Sequence, residues 1–198
     1  PAAQLEVQET GITVTNTQAF VASFIGDGYG TGQVAVLDSA TIAADVGGEI
    51  QFGGKYTGNS LTEWASVGGY KDNATDGQYG GYFAIKTRAH DGSQTEKMRI
   101  NSSGDVGIGT TPETSGPTWR TLFVGGSATI VSRQAAAGYN SIFANNYYVN
   151  SSNQDRVRTT GPSSRMFLDG NNIRFQISPS TGVGGSPSWS EIMRVDDS

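Results

Sequence analysis

Tyr82-Phe83-Ala84-Ile85-Lys86-Thr87-Arg88, then Ala89-His90-Asp91-Gly92-Ser93, then Thr95-Glu96-Lys97-Met98-Arg99-Ile100: this stretch decides the fold class. Apolar and polar residues alternate along both arms, which is the period of half-buried strands. The Asp91-Gly92 pair between them suits the two positive-φ positions of a type I′ turn. Closing the turn there sets Phe83 opposite Ile100 and Ile85 opposite Met98, all on one face, with Ala84 opposite Arg99 on the other. The same register predicts Lys86 opposite Lys97, a like-charge pair tolerable on a solvated face. Cross-strand pairs contribute only about 0.2–1 kcal/mol each, and an isolated hairpin is marginal. The apolar face of this hairpin therefore needs another surface over it.

The same rhythm recurs along the chain. Ile12-Thr13-Val14-Thr15, Gln33-Val34-Ala35-Val36, Glu49-Ile50-Gln51-Phe52 and the run Ile173 to Ile177 alternate between clusters of Gly, Asn, Asp and Ser. Helical periodicity is nearly absent. Ser39 to Val46 runs into Gly47-Gly48, and Arg133 to Tyr148 is interrupted by Gly138, Asn140, Asn145 and Asn146, which favour turns. The expected class is all-β.

Composition agrees. The 198 residues include 28 Gly, 6 Pro and 0 Cys, with 35% hydrophobic and 16% charged. Absent Cys excludes disulfide staples, thiolate zinc sites and thiol nucleophiles together. The Gly residues have no three-residue period, so collagen is excluded. No apolar run approaches the roughly 20 residues of a bilayer-crossing helix, and no membrane insertion is expected. A net charge of −5 disfavours sequence-independent binding to phosphate backbones, so no nucleic-acid partner is expected. Pro1 at one end and Val195-Asp196-Asp197-Ser198 at the other are read as cuts through a longer polypeptide.

Two internal repeats suggest modular construction. Glu96-Lys97-Met98-Arg99-Ile100 reappears as Glu191-Ile192-Met193-Arg194-Val195, each preceded by an apolar alternating strand (Phe83 and Ile85, then Phe175 and Ile177). Leu5-Glu6-Val7 returns as Leu122-Phe123-Val124. The expected organisation is a first β-module over residues 1–111, a connecting loop over 112–121, and a second β-module over 122–198. Serial modules that each fail to bury their own apolar face point to an elongated stack.

Between the modules lies Gly104-Asp105-Val106-Gly107-Ile108-Gly109-Thr110-Thr111-Pro112. This resembles the GNVGIGTTSP element of bacteriophage tail fibres and related trimeric adhesin-like fibres. Pro1 to Val7 is similar to the end of one such copy, and Met193 to Ser198 to the lead-in of another. Family members often carry a self-cleaving intramolecular chaperone domain downstream, whose catalytic opening is missing here. The spacer Glu113 to Thr121 is also longer than the family's.

The resemblance implies an elongated, intertwined homotrimeric β-fibre of β-prism or triple β-helix-like modules. It implies a virion location, as part of an extracellular tail fibre, and a structural role in host attachment through a surface glycan or protein. On this reading Gly107 and Gly109 allow three chains to approach while Ile108 meets its symmetry mates. Met98, Ile100, Met193 and Val195 are the other expected axis contacts.

Other residue groups admit both a site and a plainer structural role. Trp64, Tyr70, Tyr79 and Tyr82 form one aromatic group, and Tyr139, Phe143, Tyr147 and Tyr148 a second. Aromatic faces beside amides and carboxylates hold sugars by stacking and hydrogen bonds. Trp64, Tyr70, Tyr79, Tyr147 and Tyr148 are thus candidate glycan contacts, with packing between chains as the plainer reading. Asp27, Asp38, Asp45, Glu49, Glu63, Asp72 and Asp76 show no marked pair of the kind a glycosidase needs. Asp72-Asn73 with Asp76 lacks the EF-hand spacing, and His90 alone makes no metal site. Gly26 to Gly32 lacks the Walker lysine. No catalysis and no cofactor is expected. A tailspike-type depolymerase and a ligand-free structural shaft or extracellular filament subunit are the alternatives.

Overall fold

A computed structural model describes residues 36–133 and 140–196. The chain divides into residues 1–35 and 36–198, and only the second unit is described. Leu5-Glu6-Val7, Ile12-Thr13-Val14-Thr15, Gln33-Val34-Ala35, the Gly26 to Gly32 loop and Tyr139 lie outside the described residues.

The described residues form strands, turns and no helix. In chain order the strands are β1 (Glu49–Thr57), β2 (Ser60–Lys71), β3 (Gly81–Arg88), β4 (Gln94–Ile100), β5 (Val106–Ile108), β6 (Trp119–Val124) and β7 (Ala128–Arg133). They continue with β8 (Asn140–Asn145), β9 (Tyr148–Val149), β10 (Asp155–Arg156), β11 (Gly161–Asp169), β12 (Asn172–Thr181) and β13 (Ser190–Val195). Eleven of them make one sheet in the order β1 to β8, then β11, β12 and β13, while β9 and β10 form a separate two-stranded ribbon. Neighbours in the sheet are antiparallel except β5 and β6, which run parallel. Sequence reading and structure agree on the all-β class.

The β3–β4 hairpin pairs Phe83 with Ile100, Ala84 with Arg99 and Ile85 with Met98, as the alternation predicts. Beyond Ile85 the register slips, and Lys86 faces Glu96 rather than Lys97. This β-bulge leaves Lys97 without a partner on β3 and replaces the expected like-charge pair with an opposite-charge one. The turn differs too: Asp91 alone of the Asp-Gly pair has positive φ, at 57°. With β3 ending at Arg88 and β4 starting at Gln94, the chain turns through a five-residue loop, so a two-residue type I′ geometry is not required.

The two faces of the sheet differ sharply. One is covered by the chain's own connections. There Val131 and Ile142 pack with Tyr147 and Val149, against Trp119, Ala144, Phe167 and Trp189. Tyr70, Tyr82 and Ala84 form a smaller cluster on the same face nearer the start of the sheet. Phe123 and Gly107, paired across β5 and β6, are buried there as well.

Asp105 fixes the parallel step. Its carboxylate is wholly buried and accepts the backbone N–H of Ser115 (2.8 Å) and of Thr121 on β6 (2.9 Å). The side chains of Ser115 and Thr121 bond to each other at 2.7 Å. Asn101 completes the bracket by accepting the N–H of Asp105 and of Ser103. Parallel strands ordinarily need a long crossover. Here residues 109–118 suffice because Asp105 pins both the loop and the next strand.

Candidate functional site

The other face, left open by the described residues, carries the feature that distinguishes this molecule. Following the register from strand to strand, Phe83 faces Ile100, Ile100 faces Val106, and Val106 faces Leu122. Leu122 then faces Ile130, Ile130 faces Phe143, Phe143 faces Met166, Met166 faces Phe175, and Phe175 faces Met193. A parallel row runs Ile50, Val67, Ile85, Met98, Ile108, Val124 and Ala128. Every step joins apolar side chains directly opposite one another. None of these residues is fully buried, and Ile108, Ile130, Phe143 and Met193 are 41–55% exposed.

The burial is inverted from that of an ordinary one-sided sheet, whose apolar face is packed and polar face solvated. Here the covered face is the mixed one. Along it Ala84, Arg99, Gly107, Phe123, Thr129, Ala144, Arg165, Gln176 and Glu191 succeed one another across the strands. The chain uses its loops to satisfy that polar face and leaves the oily one open. An apolar patch spanning so many strands is larger than monomers ordinarily expose.

Met98, Ile100, Ile108, Met193 and Val195, read from the sequence as axis contacts, all belong to the open apolar face. Gly107 points to the opposite, covered face. A Cβ there would lie 2.1 Å from the Thr110 carbonyl oxygen and 2.8 Å from the Pro112 ring, so its own chain demands glycine. Gly109 follows β5 with φ at 67° and donates its N–H to the Lys97 carbonyl at 2.8 Å, closing the turn out of the strand. Val124, Ile130, Phe143 and Met166 extend the face beyond the residues singled out from sequence. Their alternation in β6, β7, β8 and β11 was the available signal.

The covered face is held by polar networks that sequence spacing does not reveal. Glu49 accepts from the Tyr70 hydroxyl and from Lys86 Nζ at 2.8 Å. The bonds from Lys86 and Tyr70, in that order, hold its carboxyl down at about 2. Tyr70 stacks on Tyr82, whose hydroxyl donates to Asp45 (2.6 Å) and whose ring lies 3.6 Å from the Arg99 guanidinium. Burial, then the bond to Asp45, pushes the Tyr82 phenol well above its ordinary range. Further along, Asp155 accepts from Tyr147 (2.8 Å), Arg165 (3.0 Å) and the Trp189 indole (2.9 Å). Arg165 lies 4.0 Å from the Trp189 ring and 4.8 Å from that of Phe167.

These networks decide the aromatic candidates. Tyr70 and Tyr147 are buried with their hydroxyls engaged, so neither presents a face to a sugar. Tyr148 is half-buried, and burial raises its phenol. Tyr79 is fully exposed in the β2–β3 loop. Trp64 lines a cleft of about 430 Å³ with Tyr56, Leu61, Arg88 and His90, between the β1–β2 and β3–β4 hairpin tips. Arg88 is steadied there by the Gly92 carbonyl (2.7 Å) and the Thr62 hydroxyl (2.6 Å). His90 sits at the tip, 95% exposed and 3.3 Å from Asp91. Among the described residues no group of His, Asp and Glu converges as a metal site.

No family model matches the chain, and no curated protein matches it.

Proposed function

We propose that this chain is a structural segment of a homotrimeric fibre of the phage tail-fibre type, extracellular and non-catalytic, with a role in host attachment. The uncovered apolar face of the sheet carries the reading. Three copies bring these faces together around a common axis, with Ile108, Met98 and Ile100 from the first half and Phe143, Phe175 and Met193 from the second turned inward. Fully burying an Ile or Phe side chain stabilises by about 1.5–3 kcal/mol, so covering the exposed half contributes on the order of 1 kcal/mol per position. Repeated along two rows on each chain, that sum is what holds such a rod. A fibre built this way unfolds only when one chain leaves its partners, which suits a mechanical connector. The three-fold number comes from the resemblance of Gly104 to Pro112 to the tail-fibre element.

The attachment role draws on the Trp64 cleft, where an exposed indole and phenol lie beside Arg88 and His90. Three equivalent weak sites per fibre add avidity without further contacts.

The test is substitution on the open face. Ile108→Asp and Phe143→Asp place charges at half-exposed positions of the open face, where a carboxylate reaches solvent in the single chain, so the strand signal in circular dichroism is retained. Both variants are expected to run as single chains in size-exclusion chromatography where the parent runs as a trimer. Unaltered assembly in both would remove this face from the interface.

A further inference from the structure

The duplicated segment Glu96 to Ile100 and Glu191 to Val195 is copied in three dimensions down to its irregularity. In β3–β4, Ile85 faces Met98 and the next pair is Lys86 with Glu96. In β12–β13, Phe175 faces Met193 and the next pair is Gln176 with Glu191. Lys97 and Ile192 are the skipped residues, at equivalent places. The extra residue brings Glu and Arg, three apart, onto one face, where an unbroken strand would separate them. Each copy closes the same two-bond clasp. Arg99 reaches Glu96 at 2.9 and 2.7 Å, and Arg194 reaches Glu191 at 2.9 and 3.0 Å.

The copies differ in what lies on the far edge. In the first, β5 occupies it, setting Ile108 opposite Met98, Gly107 opposite Arg99 and Val106 opposite Ile100. The Gly109 N–H bonds to the Lys97 carbonyl. By the alternation of antiparallel ladders, Arg99 and Gly107 then form the next hydrogen-bonded pair. In the second copy β13 is, among the described residues, the last strand of the sheet, and Met193 and Val195 are 55% and 49% exposed. The β12–β13 register repeats that of β3–β4, with Arg194 opposite Arg174 as Arg99 is opposite Ala84, so by the same alternation the Arg194 N–H and carbonyl face away from β12.

We propose that the outer edge of β13 is a docking site for an unpaired extended segment with the pattern of Val106–Gly107–Ile108. The segment adds antiparallel as a further strand, one apolar residue opposite Met193, the other opposite Val195, and glycine opposite Arg194. Main-chain bonds supply the affinity, and the two apolar positions, continuing the open face, supply the selection. The internal β4–β5 pairing is the template, so the proposal stands whatever number of chains assembles.

The probe is a synthetic peptide with the sequence of Ser103 to Thr111, offered to the full chain. It is also appended after Ser198 through a flexible linker, so that a high effective concentration compensates for weak affinity. The readout is amide hydrogen exchange by NMR. The appended form is expected to slow exchange at the Arg194 amide about tenfold relative to a scrambled appendage, as one net backbone hydrogen bond would. The free peptide is expected to shift the Arg194 and Val195 amide signals, and a peptide N-methylated at the Gly107 position to shift neither. Equal exchange with the true and scrambled appendages would overturn the proposal. So would an Arg194 amide already protected before any segment is added, since another copy would then hold that edge. Chain number is measured separately, so a failed trimer and a failed docking edge are distinguishable.

Discussion

Replacing Asp105 with Ala removes the carboxylate that holds backbone N–H groups of both the β5–β6 loop and β6. Its two oxygens take the N–H groups of Ser115 and Thr121 at 2.8 and 2.9 Å, in a site closed to water. Hydrogen bonds to a charged group contribute about 1.5–3 kcal/mol each, and a buried N–H left without a partner costs its desolvation. The expected loss is therefore about 3–6 kcal/mol, a large part of a typical domain's stability. Asp105→Asn separates the two bonds: its one remaining acceptor oxygen keeps a single N–H, and its amide meets the other, so about half the loss or more is expected. The assay is denaturant unfolding at fixed chain concentration, followed by tryptophan fluorescence. Asp76→Ala, at an exposed turn position, is the control and should stay within about 0.5 kcal/mol. A loss under about 1 kcal/mol for Asp105→Ala would refute the bracket as the element that holds β5 against β6.

Three further outcomes follow from the geometry. Gly107→Ala forces a Cβ to within 2.1 Å of a backbone oxygen and is expected to destabilise by about 1–3 kcal/mol or more. Gly109→Ala meets open space and pays only the strain of positive φ, about 1–2 kcal/mol, so thermal unfolding should rank Gly107→Ala as the less stable. Phe123→Ala on the covered face should lose about 3–5 kcal/mol in denaturant unfolding, while Ile130→Asp on the open face should reduce assembly with little change in the strand signal. Glu49 has its carboxyl lowered from 4.5 to about 2 in the folded chain. Its contribution is thus complete above about pH 5 and lost as pH falls toward 2. Acid titration of stability should flatten over that window in Glu49→Gln.

The class of fold and the open face were legible in the sequence because both rest on period-2 alternation. Phe83 with Ile85, and Met98 with Ile100, place themselves on one face without knowledge of anything distant. The bulge at Lys97 was hidden, since Thr95-Glu96-Lys97-Met98 reads as ordinary alternation. Its signal is the Glu-x-x-Arg spacing, which makes a same-face pair only when one residue is skipped. Tyr70 and Tyr147 misled because neighbouring Gly and Asn suggest loops. Their hydroxyls are taken up by Glu49 and Asp155, which lie in strands reached through turns whose paths local pattern does not encode. Asp105 escaped notice for the same reason, as its partners at Ser115 and Thr121 lie across an irregular loop.

Sedimentation equilibrium of the unmodified chain over a range of concentrations bears most directly on the claim that the oily face of the sheet is shared between copies. The account predicts a single species of three times 20.8 kDa. A species of 20.8 kDa that persists at every concentration, with Ile108 and Phe143 still open to solvent, would contradict it.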